Sequence, residues 1–86
     1  MPRISEFYGI AIYMYYCDHT PPHFHAIYGE FEAEVEIASG TIGVGSLPRS
    51  ARRLVTEWAQ AHRDELQENW NRALQRQPLN AVDPLN

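Results

Sequence analysis

The stretch HFHAIYGEFEAEVEIA, residues 23–38, decides the fold. Gly29-Glu30 separates two runs rich in β-branched and aromatic residues, and a two-residue loop with glycine first is what a type II′ hairpin turn prefers. If Tyr28 faces Phe31, the register continues as Ile27 with Glu32, Ala26 with Ala33, His25 with Glu34, Phe24 with Val35 and His23 with Glu36. Side chains alternate between the faces of a strand. Phe24, Ala26, Tyr28, Phe31, Ala33, Val35 and Ile37 therefore form an apolar face, and His23, His25, Glu32, Glu34 and Glu36 a polar one, with Ile27 the single misfit.

Upstream of the hairpin, residues 7–16 (FYGIAIYMYY) read as a first strand, with Ile10, Ile12, Met14 and Tyr16 on one face and Ala11, Tyr13 and Tyr15 on the other. The Pro21-Pro22 pair cannot sit inside a ladder and makes the connection rigid. Downstream, Ser39-Gly40 supplies a turn and residues 41–45 a short fourth strand. After Ser46, a candidate cap, and Pro48, apolar residues recur at helical spacing: Ala51, Leu54, Val55, Trp58, His62, Leu66, Trp70, Ala73 and Leu74. No Gly or Pro interrupts the chain before Pro78. The expectation is a single α+β domain over residues 1–86. A three- to four-stranded antiparallel β-meander packs against one long C-terminal helix, about 48–76, continuous or kinked near 61–63, or against two helices separated there. A tail, 77–86, is docked by Leu79, Val82 and Leu85 or frayed.

Composition narrows the classes. The chain has 86 residues, a net charge of −4 and seven basic residues, all arginine, which disfavours coating nucleic acid by phosphate neutralisation. No apolar run approaches the ~20 residues that span a bilayer. The N-terminus lacks a signal-peptide pattern, so a cytoplasmic location is expected. The lone Cys17 cannot form an internal disulfide and reads as a strand-end residue.

Chemistry is concentrated in Asp18-His19-Thr20-Pro21-Pro22-His23-Phe24-His25. His23 and His25, two apart on a strand, project from one face with Cβ atoms roughly 6–7 Å apart, close enough to chelate one ion. His19 with Asp18, Glu34 or Glu36 could complete a shell for a divalent transition metal such as zinc, nickel, manganese or iron. The same residues also suit a network of cross-strand ion pairs, His23 with Glu36 and His25 with Glu34. They suit metal-free acid/base catalysis too, of the kind a nuclease or other phosphoester hydrolase uses. Tyr13 and Tyr15 share the histidine face, where they either cover it or stack on a ligand. Arg49, Arg52 and Arg53 at the helix start are a candidate contact for a phosphate or an acidic partner. Trp58 and Trp70 read as core anchors and His62 as a hydrogen-bonded core histidine. A DNA-binding regulator would need a helix break near Arg63.

The segments Phe7-Tyr8-Gly9-Ile10, Met14-Tyr15, Asp18-His19-x-Pro21-Pro22-His23-Phe24-His25, Tyr28-Gly29, Gly45-Ser46-Leu47-Pro48, Trp58, His62-Arg63, Glu65-Leu66, Asn69-Trp70 and Pro84-Leu85 together resemble the bacterial domain of unknown function 4160 family over nearly the whole chain. Asp-His-x-Pro-Pro-His-Phe-His is the most specific part. The resemblance implies a small regulatory or binding protein, one member of a toxin–antitoxin-like gene pair, whose partner is a small protein encoded by the adjacent gene; a homo-oligomer is also admissible. Where members of that family carry a charged or different aliphatic residue on the first strand, this chain has Tyr13 and Ala11.

Overall fold

A computed structural model describes residues 2–16 and 18–86, so the expectation for Cys17 lies outside the described residues. The central hairpin is formed by β3 (His23–Tyr28) and β4 (Phe31–Glu36), and all six of its residue pairs follow the register that the Gly29-Glu30 turn dictates. Positive φ at Gly29 (59°) but not at Glu30 fits the type II′ geometry. Ahead of it stand β1 (Arg3–Phe7) and β2 (Ile10–Tyr13), and behind it β5 (Ile42–Gly45). The five strands lie in the order β1-β2-β3-β4-β5, every neighbour antiparallel.

Residues 7–16 are thus not one strand. The chain reverses at Tyr8-Gly9, where φ is 50° and 77°, and Phe7 pairs with Ile10. Two successive positive φ values are the signature of a type I′ turn, usually written Asn-Gly or Asp-Gly. Tyrosine in the first position hides it, which is why the sheet has five strands and not three or four. β5 ends at Gly45 (φ 81°), where a Cβ would overlap the Glu32 carbonyl oxygen, so a bare backbone is required there.

The helical region is two helices, α1 (Arg49–Ala61) and α2 (Arg63–Leu74), divided at His62. His62 (φ −119°, ψ 26°) leaves helical geometry, yet its N–H still donates to the Trp58 carbonyl and its own carbonyl accepts from Leu66. Its Nδ1 lies 2.6 Å from Glu65 Oε1, and Asp64 and Glu65 place negative charge in the first turn of α2, where the macrodipole favours it. The break falls within 61–63 and takes the two-helix form, so the single long helix does not form. Its single residue is shorter than the three to four of a helix-turn-helix. Ser46 caps nothing: Pro48 holds the N-cap position of α1, without a side-chain bond.

Between sheet and helices lies one core. Ile10, Ile12, Met14, Phe24, Trp58 and Leu66 are completely buried there, as the alternation and the helical stripe require. Leu74, at the stripe's end, is instead 52% exposed, and Tyr28 and Phe31, at the hairpin tip, extend beyond the helices. The tail is docked: Val82 is buried, its N–H donates to the Ile4 carbonyl at 2.8 Å, and Leu79 and Leu85 pack on the core. Asn69, fully buried, grips the tail with both ends of its amide, donating to the Asn80 carbonyl and accepting from the Asn80 N–H. Both partners of the buried amide are satisfied, which is what allows it in a core. None of the helices is long and apolar enough to cross a membrane.

Candidate metal centre

The Pro-Pro connection delivers Asp18 and His19 onto the histidine face of β3; its Thr20–Pro21 peptide is cis. Asp18 Oδ2 lies 3.1 Å from His23 Nε2 and 3.0 Å from His25 Nε2. Glu34 reaches over from β4, its Oε1 3.2 Å from His19 Nε2 and 3.8 Å from His23 Nε2. Two ligand triads result, Asp18/His23/His25 and His19/His23/Glu34, each with its donor atoms within 4.8 Å of one another. A tetrahedral ion with ~2.1 Å bonds holds its ligand atoms ~3.4 Å apart, and the separations of 3.0 to 3.8 Å suit such a shell as well as direct hydrogen bonds between the side chains.

The other ring nitrogens fix which atoms face inward. His23 Nδ1 lies 2.8 Å from the Pro21 carbonyl and His19 Nδ1 3.2 Å from the Thr20 carbonyl. A carbonyl only accepts, so both Nδ1 atoms carry the proton, and in the neutral rings both Nε2 atoms present lone pairs to carboxylate oxygens. Acceptor facing acceptor requires a cation between them, either a proton or a metal. His25 points the same way. Its buried Nδ1 has no hydrogen-bond partner, and Glu32 Oε2, 3.4 Å away, falls short of bonding geometry. An ion on Nε2 would place the proton on Nδ1, with Glu32 as its acceptor. Outward N–H groups held by backbone or carboxylate are how metal-binding histidines are oriented.

The surroundings hold the site in place. His23 and His25 are 4% and 7% exposed, so the face read as polar is covered over its central part. Trp70 lies under His23 with ring centroids 5.3 Å apart, and Tyr15 covers His25 at 4.3 Å. Tyr13 pairs with His25 across β2 and β3 and stacks at 6.4 Å on Tyr15, so the tyrosines wall the site. Burial, then the negative charge of Glu32, raises the Tyr15 phenol. One expectation needs correction. Glu36 pairs with His23 through the backbone, but its side chain accepts from Ser39 Oγ at 3.2 Å and belongs to neither triad. The ion-pair partners are Asp18 and Glu34 for His23 and Asp18 and Glu32 for His25, so neither the expected His23–Glu36 pair nor the expected His25–Glu34 pair forms among the described residues. Glu32 was not foreseen as a partner of His25; it sits diagonally across the strand pair from it, where long side chains still meet.

Burial alone would raise the Asp18 carboxyl; the hydrogen bond to His25, the His19 backbone N–H and the charges of His23 and His25 outweigh it and hold it below its ordinary 3.8. The Thr20 carbonyl, followed by Glu34 and Asp18, outweighs desolvation and raises exposed His19 above 6.5. In the metal-free protein, the Asp18 contribution to stability is complete above pH 3.8 and disappears as pH falls through its lowered pKa. That of His19 is complete below pH 6.5 and disappears as pH rises through its raised pKa. Zinc affinity should run the other way, growing as pH rises from 6.5 through the raised His19 pKa, as the proton ceases to compete for its Nε2. Thermal melts with and without zinc should diverge across that window; parallel curves would mean that the histidines titrate without a metal.

Arg49, Arg52 and Arg53 lie apart from this cluster. With Gly40, Thr41 and Thr56 they line a wide groove of about 690 Å³. None of the three forms an ion pair among the described residues, where arginine pairs are Arg3–Glu6 and Arg72–Glu68. Residues 9–71 match the family model of the domain of unknown function DUF4160. No curated protein and no solved structure matches the chain.

Proposed function

Because the chain belongs to the DUF4160 family, a domain of unknown function that brings no reaction with it, we propose its role from the site: a domain that binds one divalent transition metal, with His23 as the central ligand. The observation that supports this most is the convergence of three Nε2 atoms on Asp18 and Glu34 while the Nδ1 atoms of His19 and His23 face backbone carbonyls. His23 is common to both triads and has only Nε2 to give, so the two triads describe one ion and not two. Ligands of this kind admit zinc, manganese, iron or nickel. Bound there, an ion would act as a Lewis acid on a water or a polar ligand. Mass spectrometry of tag-free protein, with calorimetric titration of the metal-free form, tests this. About one ion per chain and at least micromolar affinity is expected, and folded protein that takes up none would overturn it.

A second role is supported by the arginine groove, which gathers three arginines that form no ion pair among the described residues, against the single carboxylate of Glu57, on a chain of net charge −4. That concentration suits an acidic partner protein, such as the second product of a toxin–antitoxin-like gene pair. Changing Arg49, Arg52 and Arg53 to glutamate should abolish co-purification with the product of the adjacent gene and leave metal content unchanged. Undiminished co-purification would remove the groove as the contact.

A further inference from the structure

Beside the centre lies a cleft of about 260 Å³ lined by His19, Pro21, His23, Glu34, Glu36, Gly43 and Val44. It lies between the Pro-Pro connection and β5, on the side of the His19/His23/Glu34 triad. Resting on the metal reading above, we propose that this cleft is the ligand-binding side of the centre and that it takes a small neutral or cationic group, turning away phosphoesters and other anions.

Size supports the first part. Drug-sized ligands occupy ~300–1,000 Å³, so this cleft accommodates a group of side-chain dimensions. His25, buried against Tyr15, and half-buried Asp18 lie outside the cleft lining. An ion held there would have its remaining positions toward the cleft.

Charge supports the second part. Asp18, Glu32, Glu34 and Glu36 surround the histidines, and against these four carboxylates a divalent ion leaves two negative charges around neutral rings. Not one of the seven arginines lines the cleft. Hydrolysis of phosphoesters relies on cationic side chains and metal ions for the charge on the phosphoryl oxygens, and here no side chain would add to the single ion. Pro21 and Val44 offer apolar walls instead, and Glu36, not used as a ligand, faces whatever enters.

Cobalt(II) as the bound ion and its visible absorption as the readout provide the test, with imidazole as the neutral probe and inorganic phosphate as the anionic one. Imidazole should change the spectrum, and phosphate should bind at least ~10-fold more weakly. Gly43→Phe should fill the cleft, since a Cβ at Gly43 meets nothing within 4 Å. It should weaken imidazole at least ~10-fold and leave cobalt affinity unchanged. Val44→Arg should bring phosphate binding up toward that of imidazole. Failure of cobalt to bind the folded wild type overturns the centre and the cleft together. Cobalt binding with phosphate preferred, or with imidazole indifferent to Gly43→Phe, overturns the cleft alone.

Discussion

Zinc affinity falls by more than ~100-fold in His23→Ala, the largest loss expected from any single substitution in the cluster. His23 is the one ring present in both triads, so its removal leaves each with two donors, where removal of His19 or His25 leaves one triad intact. The fold should survive, because the backbone bond from the Ile37 N–H to Pro22 and the six β3–β4 pairs do not involve the imidazole. The cavity over Trp70 and the lost bond to Pro21 together cost about 1–3 kcal/mol. Glu36→Ala is the control, since that carboxylate belongs to neither triad. Calorimetry on both variants decides the matter. A His23→Ala affinity within threefold of wild type, or a Glu36→Ala loss as large, would remove the shared-ligand assignment.

The largest effect on stability is expected for Trp58→Ala. Trp58 is completely buried, its ring 5.1 Å from Phe7, 5.6 Å from Phe24 and 5.6 Å from His62. Its Nε1–H donates to the Asp83 carbonyl at 2.8 Å. One side chain therefore joins β1, β3, the helix break and the tail. Truncating a buried tryptophan costs about 3–5 kcal/mol, against a total of ~5–15 kcal/mol for a domain. Urea denaturation should show a midpoint lowered by about a fifth or more. A loss below about 1 kcal/mol would mean that the core does not depend on this ring.

The central hairpin was legible because Gly29-Glu30 fixes a register and the β4 alternation allows only one face inward. The helical stripe was legible for the same reason of period, and Trp58, Trp70 and the tail's Val82 fell where apolar spacing places them. The β1–β2 turn was not legible: Tyr8 adopts a left-handed conformation that its residue type does not advertise. The division at His62 left only a weak mark, since neither Gly nor Pro is needed when a histidine's own backbone and Glu65 satisfy the break. At the site, the histidines and Asp18 were recoverable from spacing. The choice of Glu34 and Glu32 over Glu36 was not, because pairing rules give Cα partners and the carboxylates lean toward a loop whose course the pattern does not specify.

The tail that ends on Val82 and Asp83 has a further bearing on how the molecule comes apart. Its bond to Ile4 joins the first strand to nearly the far end of the sequence, and the Asn69 amide and the Trp58 indole hold it between. Contacts so distant along the chain form after the loops they close, so this belt belongs to the last stage of folding. Such late interactions slow unfolding without speeding folding. The tail acts as a kinetic latch: by holding β1 and both helices in one cooperative unit, it sets how long the histidine cluster beside the Pro-Pro connection stays assembled.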